Sequence, residues 1–269
     1  MSTTVAVSGE VSTVAKPTPA VNAHLRYVLR LADTNLILAQ RLGEWIGHAP
    51  VLEDDLGLAN IALDHIGQAR LFLAYAGELE GCDRDEDALA FQRAEAEFFN
   101  VTLVEQPNGD FGQTIVRQLL VDAWQIELYA GLMGSRDPRI AEIAAKAVKE
   151  TRYHLGYSSG WVIRLGDGTG ESHARVQQAL ERFWPYTIEL TVPDEVDREM
   201  IAAGIAPPTE PLRAAWSARV DGILTEARLE RPAPASFRWF GKQGRHSEHL
   251  GYILADLQFM QRAYPGATW

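Results

Sequence analysis

Four segments of the chain, 22–47, 52–80, 111–134 and 137–165, carry apolar residues at helical spacing, and the first is joined to the second, and the third to the fourth, by only a few residues. Helices linked so tightly must double back, so each pair is expected to pack antiparallel. The punctuation agrees. Gly47, His48 and Pro50 stop the first segment, and Glu53, Asp54 and Asp55 suit the positive end of the second helix's dipole. Gly134-Ser135-Arg136-Asp137-Pro138 divides the third from the fourth, with Asp137 as N-cap and Pro138 at the first helical position. Two antiparallel pairs in sequence predict an all-α, antiparallel four-helix bundle. A helix over 86–98, a turn at Gln106-Pro107-Asn108-Gly109, additional C-terminal helices near 172–190, 194–203, 209–229 and 247–263, and an ordered loop over 231–245 complete the expectation. Two-residue alternation is rare, so strands should be scarce.

A length of 269 residues suffices for a sizeable core, and residues 21–269 are read as one helical domain behind a flexible tail of residues 1–20. With 36 acidic against 25 basic residues the formal charge is −11, which argues against nucleic acid and against anionic membranes as partners. No stretch approaches the length of apolar sequence that spans a bilayer. The single cysteine, Cys82, cannot close an internal disulfide, so a cytoplasmic location is expected.

The apolar stripes are interrupted by polar residues at one level. On the first helix Val28, Leu31, Asn35, Leu42 and Ile46 share roughly one face. The second helix presents Leu58, Ile61, His65, Ala69, Phe72 and Ala76, with Gln68 at the margin. The third presents Ile115, Leu119, Asp122, Ile126 and Tyr129, and the fourth Ile140, Ala144, Ala147, Thr151, His154, Trp161 and Leu165. Counting outward from each hairpin, residue 35 lies opposite about 64 and residue 122 opposite about 150, so Asn35, His65, Gln68, Asp122, Thr151 and His154 should meet in one buried layer. Such a layer is costly unless its members bond one another or a ligand.

Three readings of the layer are open. A dinuclear centre in a bundle of this kind uses about four carboxylates and two histidines. The layer offers one inward carboxylate, Asp122, and a shifted register using Asp33, Asp64, Asp122, Glu150 and His154 draws Asp33 and Glu150 from more polar faces. A satisfied hydrogen-bond network without metal is the preferred reading, because amide, imidazole and hydroxyl groups both donate and accept. A single metal on His65, Asp122 and His154 is the third.

Two further features stand out. His246-Ser247-Glu248-His249 has the look of a zinc site, but the favoured reading is a helix start, with Ser247 as N-cap, Glu248 in the first turn and the histidines packing or bonding to backbone. Cys82 lies in an acidic loop with no cation expected to favour a thiolate, so no catalytic role is expected. There is no phosphate-binding glycine loop and no Gly-x-Ser-x-Gly elbow.

Several long motifs also resemble a known family. Arg41-Leu42-Gly43-Glu44-Trp45-Ile46-Gly47-His48-Ala49-Pro50, Leu63-Asp64-His65-Ile66-Gly67-Gln68-Ala69-Arg70 and Leu103-Val104-Glu105-Gln106-Pro107-Asn108-Gly109 look like the PaaC-type subunits of the bacterial ring-1,2-phenylacetyl-CoA epoxidase, a multicomponent phenylacetyl-CoA monooxygenase. So do Ser135-Arg136-Asp137-Pro138, Lys149-Glu150-Thr151-Arg152-Tyr153-His154-Leu155, His246-Ser247-Glu248-His249-Leu250-Gly251 and the closing Pro265-Gly266-Ala267-Thr268-Trp269. The resemblance implies a ferritin-like subunit in the route of phenylacetate breakdown. A sister subunit of the same fold would hold the di-iron centre, bind phenylacetyl-CoA and insert one oxygen atom of O2 into the ring. Further small subunits belong to the complex, and an NADPH-dependent iron–sulfur flavoprotein reductase supplies its electrons.

The type of subunit that this chain resembles is regarded in that family as structural. Against the sister's ligand stretches, a helix-one glutamate falls on Asn35, the first Glu-x-x-His on His65 and Gln68, and the second on Thr151 and His154. No catalytic residue, no cofactor and no metal in this chain are therefore expected, the six layer positions being vestigial. The alternative is a di-iron or dimanganese oxygenase active in its own right.

Overall fold

The computed structural model describes residues 22–234 and 239–267. The proposed tail, residues 235–238 of the 231–245 loop, and the final Thr268-Trp269 lie outside them. Within the described residues the architecture is the expected all-α one, a ferritin-like antiparallel four-helix bundle with satellite helices. The one strand-type pairing there is an isolated bridge between Phe240 and Arg245.

The bundle is made by α1 (Ala23–Gly43), α2 (Leu52–Glu80), α4 (Phe111–Leu132) and α5 (Pro138–Gly166), with α3 (Glu86–Phe91) between the hairpins. α1 packs along α2, α4 along α5, and α2 against α5. Local chemistry fixes the ends. The Asn22 side chain accepts from the Leu25 amide at 2.7 Å to start α1. Asp137 caps α5 by accepting from the amides of Arg139 (2.9 Å) and Ile140 (3.0 Å). The same carboxylate accepts from Tyr75 of α2 and lies 2.8 Å from His24 of α1, so one cap ties three bundle helices together. Gly81, left-handed at φ 66°, ends α2 where a side chain would be strained.

The remaining helices close around α4. They are α6 (Gly170–Phe183), α7 (Thr187–Thr191), α8 (Glu195–Ala202), α9 (Thr209–Glu226) and α10 (Glu248–Ala263). α6 and α9 cover α4, α8 covers α1, and α10 lies over α1 and α3. Trp216 of α9 packs against Trp184 with the rings tilted and their centres 5.8 Å apart, and it donates to the Leu120 carbonyl at 3.3 Å. Enclosed in this way, α4 is buried on nearly every face, the behaviour of a core helix rather than an amphipathic surface one.

Three boundaries differ from expectation. The first helix ends at Gly43, so Ile46 lies beyond it in a turn and is about half exposed rather than on the inward stripe. The helix expected over 86–98 ends at Phe91, because Arg93 turns inward to meet Asp33 and the chain continues through a 3-10 turn, Glu95–Glu97. The segment expected as one helix over 172–190 is broken at Trp184–Tyr186, since Pro185 has no N–H to continue the ladder. No described helix is long and apolar enough to cross a membrane.

Candidate metal centre

The polar residues of the four stripes do meet. α1 brings in Asn35, α2 His65 and Gln68, α4 Asp122, and α5 Thr151 and His154; all six are buried. Asn35 Oδ1 accepts from His65 Nδ1 at 2.8 Å, and its amide nitrogen donates to the Leu31 carbonyl and to Tyr129 OH, both at 2.8 Å. Tyr129 OH donates to Gln68 Oε1 at 2.9 Å, and Gln68 Nε2 donates to Glu150 at 2.9 Å. One side of the layer is thus a continuous chain of bonds from α1 through α4 and α2 to α5.

The other side centres on Asp122. Its two oxygens accept from Gln118 Nε2 and Ser158 Oγ, each at 2.7 Å. Gln118 Nε2 also lies 3.2 Å from His65 Nε2, so one amide serves both the imidazole and the carboxylate. His65 and His154 rings are 4.9 Å apart, and the outer nitrogen of His154 donates to Asp64 at 3.0 Å. Burial holds His65 well below the usual imidazole range, and the neighbouring His154 adds to the effect. Burial pushes Asp122 up to about 6, while His154 and the bonds from Ser158 and Gln118 pull it back.

Some atoms of the layer find no partner within the protein. Thr151 Oγ1, His154 Nδ1, Gln118 Oε1 and Gln125 Oε1 are buried and find no partner among the protein's groups. Periodicity would have found the further members, which the stripes alone do not single out. Gln118 lies four residues before Asp122, Gln125 three residues after it, and Ser158 four after His154. Gln125 donates to Asn35 Oδ1 at 3.1 Å.

The shifted ligand register fails on geometry. Asp33 is fully buried, not on a polar face as expected, but it points away from the layer. Its carboxylate pairs with Arg93 and accepts from the Phe99 amide at 2.9 Å. Asp64 and Glu150 touch only the layer's margin and remain partly exposed. The group of acidic or imidazole residues close enough to share one ion, among the described residues, is His65, Asp122 and His154. A dinuclear centre needs about four carboxylates around it. The layer buries one carboxylate, Asp122, and the other three carboxylate positions hold Asn35, His65 and Thr151, so the residues present do not fit that group.

The remaining candidates fall outside any site. Ser247 precedes α10 as expected, but its hydroxyl and amide both donate to Glu105, at 2.6 and 2.8 Å, rather than capping the helix with the side chain. His246 meets the same carboxylate at 2.6 Å and the Phe98 carbonyl at 2.8 Å. Burial works to lower its pKa, but the Glu105 carboxylate outweighs it and the net direction is up. Both ring nitrogens are engaged as donors, which leaves no lone pair for zinc. Arg84, two residues from Cys82, has its guanidinium held by Glu80.

The chain matches the family described as "Phenylacetic acid catabolic protein" over residues 11–269. It is 53% identical over 249 residues to the C component of the 1,2-phenylacetyl-CoA epoxidase of Escherichia coli (strain K12), an alignment covering 93% of this chain and 100% of the relative. The chain, a helical bundle with one carboxylate in its polar layer and matched over nearly its whole length, belongs to the phenylacetic acid catabolic protein family.

Proposed function

We propose that this chain is a non-catalytic structural subunit of a cytoplasmic 1,2-phenylacetyl-CoA epoxidase and pairs with a ferritin-like sister subunit that carries the di-iron centre. The small subunits and the NADPH-dependent iron–sulfur flavoprotein reductase of such a complex are its wider partners. The observation that carries the reading is the single buried carboxylate in the layer, where an oxygen-activating pair of irons needs several. Chemistry and fold separate readily in a case like this, because a bundle can keep its shape after losing its ligands.

The exposed surface supports a partner. Leu52, Leu56, Leu63 and Ile66 form a line along the outer side of α2, each at least 42% exposed. Tyr153, at 58%, adds to it from α5, one residue before the histidine that bonds Asp64. An aliphatic row of this size suits an interface better than open water.

Co-expression with the iron-bearing sister tests the proposal. The wild-type chain should co-purify with it as a stable complex. Leu63→Asp combined with Ile66→Asp should weaken association by about 30-fold or more, as expected for losing roughly 2 kcal/mol of central apolar contact, with an unchanged melting temperature. Failure of the wild-type pair to associate overturns the subunit assignment. Unchanged association of the double variant removes this face from the interface.

A further inference from the structure

We propose that the layer holds one divalent transition-metal ion, bound by the imidazoles of His65 and His154 and the carboxylate of Asp122. The inference replaces the expectation of a metal-free chain, and it concerns a single structural ion rather than an oxygen-activating pair.

The first argument is convergence. One ligand atom from each of the three residues lies within 4.8 Å of the others, and all three side chains are fully buried. They come from three helices, so an ion there would pin α2, α4 and α5 at mid-height.

The second argument is the direction of the lone pairs. His154 donates its outer Nε2–H to Asp64 at 3.0 Å, and in the neutral ring that leaves Nδ1 with a lone pair. That atom is buried and has no partner. His65 donates Nδ1–H to Asn35 Oδ1 at 2.8 Å, which leaves Nε2 as the acceptor facing Gln118. Each ring thus has its outer nitrogen held by an oxygen and its inner nitrogen turned toward Asp122's surroundings, the support that metal-bound imidazoles ordinarily have.

The third argument is what an ion would satisfy. The buried atoms without partners include His154 Nδ1, Thr151 Oγ1 and Gln118 Oε1, all bearers of lone pairs. Gln118 Nε2 bridges His65 Nε2 (3.2 Å) and Asp122 Oδ1 (2.7 Å), standing in for a shared positive centre. Turning that amide over would aim its unpartnered oxygen at a cation instead.

Charge sets the number of ions. Asp122 directly, and Asp64 through His154, supply two negative charges, enough for one divalent ion. A second ion would enter a buried layer without compensation. Two nitrogen donors and one carboxylate suit zinc, iron(II) or cobalt(II) better than calcium or magnesium, which prefer oxygen throughout.

The full-length chain, stripped with a chelator, is titrated with Zn2+ by calorimetry and with Co2+ in the visible range. One equivalent should bind, the melting temperature should rise, and bound cobalt should show ligand-field bands. His65→Gln and His154→Gln should each weaken binding by at least 100-fold. Asp64→Asn, on a partly exposed residue, should weaken it by about 10- to 100-fold. His48→Gln, an exposed histidine outside the layer, should bind like wild type. Absence of saturable binding, two equivalents per chain, or binding undiminished in both His154→Gln and Asp64→Asn would each overturn the proposal.

Discussion

Asp33→Ala should destabilise the chain by about 3–5 kcal/mol, the cost of leaving a buried charge without its partner, and lower the melting temperature by on the order of 10 °C. Both members of the Asp33–Arg93 pair are almost completely enclosed. Arg93 also donates to the Glu97 carbonyl at 2.8 Å and stacks over the Phe98 ring at 4.1 Å, while Gln258 and Arg262 of α10 bond its own carbonyl. The pair therefore ties α1 to the irregular stretch after α3 and to the helix that covers it. Removing both charges, as Asp33→Ala with Arg93→Met, should recover part of the loss, since the stranded guanidinium is the larger penalty. Thermal and chemical denaturation of the two variants checks this. An Asp33→Ala variant as stable as wild type, but deficient in bound metal, would make Asp33 the ligand that the geometry denies.

Asp122→Ala should cost about 1–3 kcal/mol, because Gln118 and Ser158 lose the acceptor for which both were desolvated. Turnover of an assembled epoxidase carrying this variant should fall only in step with the folded fraction. Melting and turnover measured on the same preparation decide the matter. A wild-type melting temperature with abolished turnover would place chemistry in this chain and contradict its structural role.

The long helices were legible because each combines a periodic stripe with end chemistry that reads locally, as at Asn22, Asp137 and Gly81. The breaks were less legible. Pro185 signals its own break, but the end of α3 depends on Arg93 finding Asp33, 60 residues earlier in the chain. No local pattern announces such a bond. Asp33 and Asn35 illustrate the same limit within one helix. Two residues apart, they point to nearly opposite sides, and only the tertiary structure shows that both sides are buried. For the layer, Asn35, His65, Asp122 and His154 were identifiable from spacing and from the apolar company they keep. Closure of its hydrogen bonds was not, because it depends on amide and hydroxyl orientations that spacing does not encode. Thr151 sits where expected and yet has no partner.

The structural role requires that this layer cannot hold a pair of oxygen-activating metals, and iron analysis of the chain purified by itself tests that most directly. The chain is loaded with iron(II), exposed to O2, desalted, and assayed for metal content and for the absorbance of an oxo-bridged pair. The geometry predicts no more than one metal ion per chain and no such absorbance. Close to two irons per chain, with the spectrum of a bridged pair, would contradict it.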